Sequence, residues 1–416
     1  MIRALLAGVA GLRNHQTRMD VIGNNIANVN TVGFKTSRVT FREAFAQTLR
    51  DAARPLGNQG GVNPMQIGMG MNIGSIDQLF SQGSLEATGQ PFDMGIQGDG
   101  MFVLRNGEQA LYTRSGNFQL DAEGKLVSAG SGFVVQGAYA DAQGNIASGA
   151  SIESIQISLG QKAPPQATDL IALSGNLSSS AEVGDTHTMG ITVYDGLGNA
   201  HSLELTFTNT GPGTWDWTPT CDTAPVTPAG NGSVTFGDDG SLEAFTYPGG
   251  AAALTLTPTV GAPFDITIDP GTVGGIDGLS GFANPSSAIV ESQNGYQAGD
   301  LVNVSVDSRG LISGQFSNGV TRPLAQVALA SFNNLSGLLR SGDSVYEASA
   351  NSGAPIIGFV GGNSGATITP GALESSNVDI SQEFSNMIIA QRGFQANARV
   401  ITAADEMLTE LVNLRR

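Results

Sequence analysis

Two stretches at opposite ends of this chain carry the same apolar rhythm, and that limits what can lie between them. From about Leu373 to Arg416, the positions Ile380, Phe384, Met387, Gln391, Phe394, Ala398, Ile401, Asp405, Leu408 and Val412 step by three and four. That stepping draws a seam along one side of a long helix. Ser375, Ser376 and Asn377 precede it as candidate caps, after Gly371. Near the other end Leu5, Val9, Leu12, Gln16, Met19, Gly23 and Ile26 keep the same stepping, again with one glutamine in the seam. A lone helix leaves such a stripe in water, so each needs a partner. The pattern predicts paired, coiled-coil-like terminal helices, with the rest of the chain an excursion between them. Gln16 and Gln391 at seam positions cost stability and can fix register, or reach out to the rim of the contact.

Charge divides the excursion. The chain has 416 residues and a net charge of −17, which disfavours a phosphate-binding surface and hence nucleic acid. Between Lys162 and Arg309 there is no lysine or arginine, against 16 acidic residues, whereas residues 1–54 carry 8 basic and 3 acidic ones. A segment of one sign cannot neutralise itself and must be well solvated, so the middle reads as a separate, outward-facing domain. The single cysteine, Cys221, allows no disulfide within the chain. Arg3 and the apolar residues 4–12 resemble the start of a secretory signal, but Gly8, Gly11 and Arg13 interrupt it while the helical stepping continues. No apolar run approaches the roughly 20 residues that span a bilayer.

Along the chain, Asn24, Asn25, Asn28 and Asn30 with Gly33 should end the first helix in local turns. An amphipathic patch, Phe41 to Leu49, follows. Residues 51–74, rich in Gly, Asn and Met, read as an extended linker or a surface ordered only on assembly. From Ser75 the pattern is β: Met101 to Leu104 is an apolar run, and Phe118 and Leu120 alternate into the turn Asp121–Gly124. Val302, Val304 and Val306 repeat that pattern into Asp307–Gly310. Between them Ile191, Val193, Leu203, Leu205, Phe207, Trp215 and Trp217 mark short alternating strands with Asp-Gly turns, as in a sandwich or barrel. The predicted fold is mainly β with terminal α-helices: helical termini over 1–50 and 372–416, a linker over 51–74, a β domain split between 75–150 and 294–371, and an inserted β domain over 151–293.

Several motifs together resemble the bacterial flagellar rod and hook protein family. They are Asn24-Asn25-Ile26-Ala27-Asn28 with Thr31-Val32-Gly33-Phe34-Lys35, Gly95–Gly100, and Tyr112–Phe118. At the far end they are Leu373–Asp379, Gln391-Arg392-Gly393-Phe394-Gln395-Ala396-Asn397, and Asp405–Leu408. The resemblance implies a structural subunit that polymerises into a helical tube, its terminal seams (Leu5 to Ile26 and Ile380 to Val412) completed by neighbouring copies and its inserted domain outermost. It implies as partners the chain's own copies, the distal rod protein, the hook–filament junction protein, the hook cap and the type III export apparatus. It also implies a place outside the cell, with export unfolded and no cleaved signal. The acidic insertion, roughly 140 residues, favours the family's curved, torque-transmitting member over its distal rod member.

Enzyme readings find little support. His15, His187 and His201 are scattered without metal-ligand spacing, and no Gly-x-Ser-x-Gly elbow occurs. Gly68-Met69-Gly70 is not a phosphate loop, and Gly237-Asp238-Asp239-Gly240 reads as a hairpin turn rather than a calcium loop. Neither a catalytic site nor a cofactor is expected. An adhesin or hydrolase displaying a β domain is the alternative of a different class, and neither the terminal motifs nor a catalytic cluster speaks for it.

Overall fold

The computed structural model describes residues 2–55, 60–141, 144–147, 149–158, 160–361 and 365–413. The chain divides into two compact units. One comprises Met1–Ser158, Val304–Ser313 and Arg322–Arg416; the other comprises Leu159–Asn303 and Gly314–Thr321.

The first unit holds both helices, α1 (Ile2–Ala27) and α2 (Ile380–Asn413). They run antiparallel: Gly8 lies against Ile401, Gly11 against Asn397, His15 against Gly393, and Asn25 against Glu383. α1 ends where the asparagines begin, with Asn28 donating its side-chain amide back to the Asn24 carbonyl. α2 starts one residue after Asp379, whose carboxylate accepts from the Gln382 amide. The cap is therefore Asp379, not the Ser375–Asn377 group expected from the sequence; Asn377 is used elsewhere.

The remainder of the predicted helical terminus, 28–50, is not helical. It forms β1 (Ser37–Glu43) and β2 (Ala46–Arg50). Nor are residues 51–74 a plain linker, because β3 (Met65–Gly68) pairs with β2, and β4 (Met71–Gln78) pairs with β1. Repeated Gly, Met and Asn hide these strands: β2 and β3 are exposed along their whole length, and the positions of β4 that alternate inward are only half-buried and include Met71, Ile73 and Ser75 rather than a uniform apolar set. Further on, the apolar run expected at 101–104 is the strand Met101–Asn106, buried over its first four residues and paired with Gln109–Thr113. Phe118–Leu120 and Leu126–Ser128 form the hairpin around Asp121–Gly124.

The second unit is a sandwich. One sheet orders the strands Thr186–Tyr194, Ala200–Gly211, Thr214–Cys221, Gly232–Phe236 and Leu242–Thr246 as successive antiparallel neighbours. The other is built on Leu170–Asn176, which pairs parallel with Phe264–Asp269 and antiparallel with Ile289–Gln293. Alternate residues of both sheets, among them Leu203, Leu205, Phe207, Ile266 and Ile268, meet in one core. Trp215 and Trp217 are both buried there. The Trp217 indole donates to the Thr246 carbonyl at 3.0 Å and stacks on Phe245. Residues 314–321 join this unit by turning back, with the Ser317 amide donating to the Asp300 carbonyl. Gln166 and Tyr296 form a two-bond bridge where the unit's chain enters and leaves.

Candidate functional site: the junction of the terminal motifs

Four of the motifs come together around one carboxylate. Glu374 is fully buried. Its Oε1 accepts from Lys35 Nζ at 2.7 Å and from the Gly83 amide at 2.8 Å, and its Oε2 accepts from Arg114 Nε at 2.7 Å. Lys35, only 1% exposed, also donates to the Ser81 carbonyl. The remaining Arg114 donors reach the carbonyls of Gly98 and Gly100 and the Gln82 side-chain oxygen. The three charged groups are thus each satisfied, as buried charges must be. Burial pushes the Lys35 ammonium below the ordinary lysine range, and the hydrogen bond and charge of Glu374 pull it part of the way back.

The backbone around the triad is shaped to admit it. Gly33 has φ +68°, and a Cβ there would lie 2.7 Å from the Ser115 amide nitrogen, so only glycine fits. Its amide donates to the Glu374 carbonyl at 2.8 Å. Phe34 is buried with the Arg340 guanidinium 4.8 Å from its ring centroid. Asn377 accepts from the Thr36 amide and hydroxyl and donates to the Leu79 carbonyl and to Ser81. Asn25 exchanges hydrogen bonds with the Ser37 backbone and donates to Glu383 at 3.2 Å. The segments that follow α1 and precede α2 are in this way stitched to each other and to the β strands between.

Of the motif residues singled out in the sequence, Asn25, Gly33, Phe34 and Lys35 enter this junction. Thr31 donates to the Asn28 side chain nearby. Asn24 is exposed, as are Gln391, Arg392 and Gln395 on α2, while Asn397 sits at the helix contact opposite Gly11. Reading for catalysis and seams passed over Arg114, Glu374 and Glu383. The signal was there: Leu373–Asp379 and Tyr112–Phe118 hold only three charged residues, and two of them, Glu374 and Arg114, pair with each other.

The seams themselves lie beside the helix contact. Gly8, Gly11, His15, Arg18, Ile22 and Asn25 form the line of α1 that is buried or meets α2. The seam positions Val9, Leu12, Gln16, Met19, Gly23 and Ile26 each follow one of these by one residue, about 100° around the helix. On α2 the buried positions are Glu383, Ala390 and Ala404. Met387, Phe394, Ile401 and Leu408 are half-buried like Leu5 and most of the α1 seam, whereas Ile380, Phe384, Gln391 and Val412 are exposed. Of the two places open to the seam glutamines, fixing register in the contact or reaching its rim, Gln16 and Gln391 are both exposed. Small residues let the helices approach closely: a Cβ on Gly11 would meet the Asn397 side chain at 2.6 Å, and one on Gly393 would meet His15 at 2.6 Å. His15 Nδ1 is buried there without a hydrogen-bond partner among the described residues, and burial, then Arg18, lowers its pKa.

Among the described residues no group of three His, Cys, Asp or Glu side chains is placed to hold a metal, and no helix is long and apolar enough to cross a membrane. The junction is a structural clamp, and it joins the motifs that define the axial proteins of the flagellum. Family models match four separate stretches in order along the chain: "Flagella basal body rod protein" over 5–35, "Flagellar hook protein FlgE/F/G D1 domain" over 95–165, "Flagellar basal body protein FlaE D2 domain" over 179–296, and "Flagellar basal body rod FlgEFG protein C-terminal" over 369–414. Within that class the chain belongs to the flagellar hook protein FlgE family. It is 38% identical to the flagellar hook protein FlgE of Borreliella burgdorferi, with 100% of each chain covered. A flagellar basal-body rod protein FlgG of Bacillus subtilis matches at 28% with both chains fully covered, so length by itself does not separate hook from rod relatives. The fold is shared with a Helicobacter pylori flagellar hook protein crystal structure, at 16% identity and TM-score 0.51 over 70% of this chain and 100% of that one.

Proposed function

We propose that this chain, a hook structural subunit of the flagellum, polymerises with copies of itself into a curved tube that serves as a flexible joint and transmits torque from rod to filament. The observation that carries the reading is what the helix pair leaves uncovered. Pairing consumes glycines, alanines and polar groups, while Leu6, Phe384, Ile388, Ile389, Leu411 and Val412 are all at least half exposed. Apolar surface of that extent on paired helices is an assembly surface. The clamp supports the same reading, because it ties both helices to the β strands that would carry load outward. The one-signed charge of the middle segment suits a solvated outer position with small, exchangeable lateral contacts.

On this reading the terminal helices line the tube, the split β domain forms its wall and the inserted domain lies outside. Its partners are further copies, the distal rod protein, the hook–filament junction protein, the hook cap and the type III export apparatus, which takes the chain out without signal cleavage. It needs no cofactor and performs no catalysis. Electron microscopy of the purified, polymerised chain tests this: a curved tube is expected. A straight tube would mean a rod subunit, and a chain that stays monomeric under all assembly conditions would overturn the proposal.

A further inference from the structure

The hairpin of β2 and β3 presents an apolar face that stays exposed among the described residues. Its register pairs Ala46 with Gly68, Gln47 with Ile67 and Thr48 with Gln66, with a bulge before Arg50 pairs with Met65. The Met69 amide donates to the Phe45 carbonyl, which extends the ribbon by one pair. Side chains opposite each other share a face. One face therefore carries Phe45, Gln47, Leu49, Met65, Ile67 and Met69, with Arg50 opposite Met65 at its end beyond the bulge; the other carries Ala46, Thr48, Gln66 and Gly68. The five apolar members of the first face are between 44% and 85% exposed. An isolated two-stranded hairpin is marginal in water, and this one buries no side chain of its own.

We infer that this face docks on the C-terminal half of α2 of a second copy of the chain; the inference rests on the polymer proposed above. α2 offers a matching surface. Val400, Ala403, Met407 and Leu411 step by three and four along one exposed stripe. The stripe from 400 to 411 is about 16 Å long, and the ribbon from Phe45 to Leu49 is about 14 Å. The balance of charge agrees as well: around the hairpin exposed Arg42, Arg50 and Arg54 outnumber Glu43 and Asp51, and around the stripe exposed Glu406 and Glu410 outnumber Arg399. Val400 also reaches Gly8 of α1, but the rest of both surfaces is open among the described residues of the chain, so joining them between copies removes two apolar patches at once.

Site-directed crosslinking tests the contact. In a Cys221→Ser background, Leu49→Cys and Met407→Cys placed in one chain should yield a ladder of covalent dimers, trimers and higher species when assembled polymer is treated with a short bis-maleimide. Dilute monomer should yield none. A polymer that forms but gives no ladder would sink the docking inference and leave the assembly reading standing. A parent chain that forms no polymer at all would sink both. A crosslink formed within dilute monomer would show that the hairpin covers its own helix, which also overturns the inference. As a second measurement, Phe45→Ser with Ile67→Ser should raise the critical concentration for assembly about tenfold or more. Thr48→Glu, on the polar face, should leave it unchanged. The monomer's thermal unfolding should not move in either variant, because neither face is buried in it; equal effects from the two faces would refute the assignment.

Discussion

Replacing Glu374 by Gln is the sharpest test of the clamp. The substitution keeps the shape and removes the one negative charge between Lys35 and Arg114, each at most 6% exposed. Two like charges then remain buried without a counter-ion. Breaking a buried pair from one side costs about 3–5 kcal/mol, against a total domain stability of about 5–15 kcal/mol. For a unit of this size each kcal/mol lowers the melting temperature by about 2–4 °C, so a fall of about 6–20 °C is expected in the unit that holds the clamp. The chain supplies its own two probes. Both helices lie in the clamp's unit, and both tryptophans lie in the other. Ellipticity at the helical band should therefore melt early in the variant while tryptophan emission melts where it did before. Replacing all three charged residues by apolar ones of similar volume should recover most of the loss. A helical transition that moves by less than about 1 kcal/mol, or a tryptophan transition that moves with it, would refute the account of the clamp.

Four further outcomes are expected. Gly11→Leu should drive the helices apart at Asn397, costing about 1–3 kcal/mol and abolishing assembly, whereas Gly23→Ala, with nothing within 4 Å of the new Cβ, should stabilise α1 by about 0.5–1 kcal/mol; helical melting separates the two. Burial pushes the Asp195 carboxyl upward, but hydrogen bonds from Asn199, His201 and Leu197 outweigh it and hold its pKa below 3.8. Asp195 thus contributes stability that is present above the ordinary aspartate range and lost as pH falls through its lowered folded value. Tryptophan-monitored unfolding should show a loss below about pH 4 that Asp195→Asn flattens; identical pH profiles would contradict this. Excising residues 167–295 at the Gln166–Tyr296 bridge should leave polymerisation intact and change curvature in micrographs, and failure to polymerise would show the second unit is not accessory. Mild trypsin should cut dilute monomer at the exposed Arg42, Arg50 and Arg392 and spare them in polymer, a contrast whose absence would mean that assembly does not cover the ends.

The terminal helices, the alternating strands of the middle segment and the motif positions were legible because each rests on a local period or a local turn. Leu203, Leu205 and Phe207 point into a core simply because strands alternate. Where the sequence misled, the deciding partner was remote. A three-four seam reveals that an apolar stripe exists but not which side of the helix meets its own chain. Glycines at 8, 11 and 393 took the intramolecular contact, since close approach of two backbones needs the absence of side chains. The strands β2 and β3 pair with one another while exposed along their whole length, and β1 and β4 are no more than half-buried, so no buried core enforces a readable period. Lys35, Arg114 and Glu374 are 79 or more residues apart, and a lone charge in each motif reads as ordinary surface until its counter-ion is in view.

The clamp also fixes how tension would travel through a subunit. Pulling on α1 draws on Lys35, and pulling on α2 draws on Glu374, yet these two residues are bonded to each other. A load entering at either end of the chain is therefore shared with the other end at the point where it reaches the strands. What passes onward is divided: Lys35 holds the Ser81 carbonyl, the Gly83 amide holds Glu374, and the Arg114 guanidinium is spread over the carbonyls of Gly98 and Gly100 and the carboxylate of Glu374. Force is spread over several short bonds instead of peeling one strand at a time. In a subunit wired in this way, a pull on either helix is met by the other, and the two ends keep their places relative to each other.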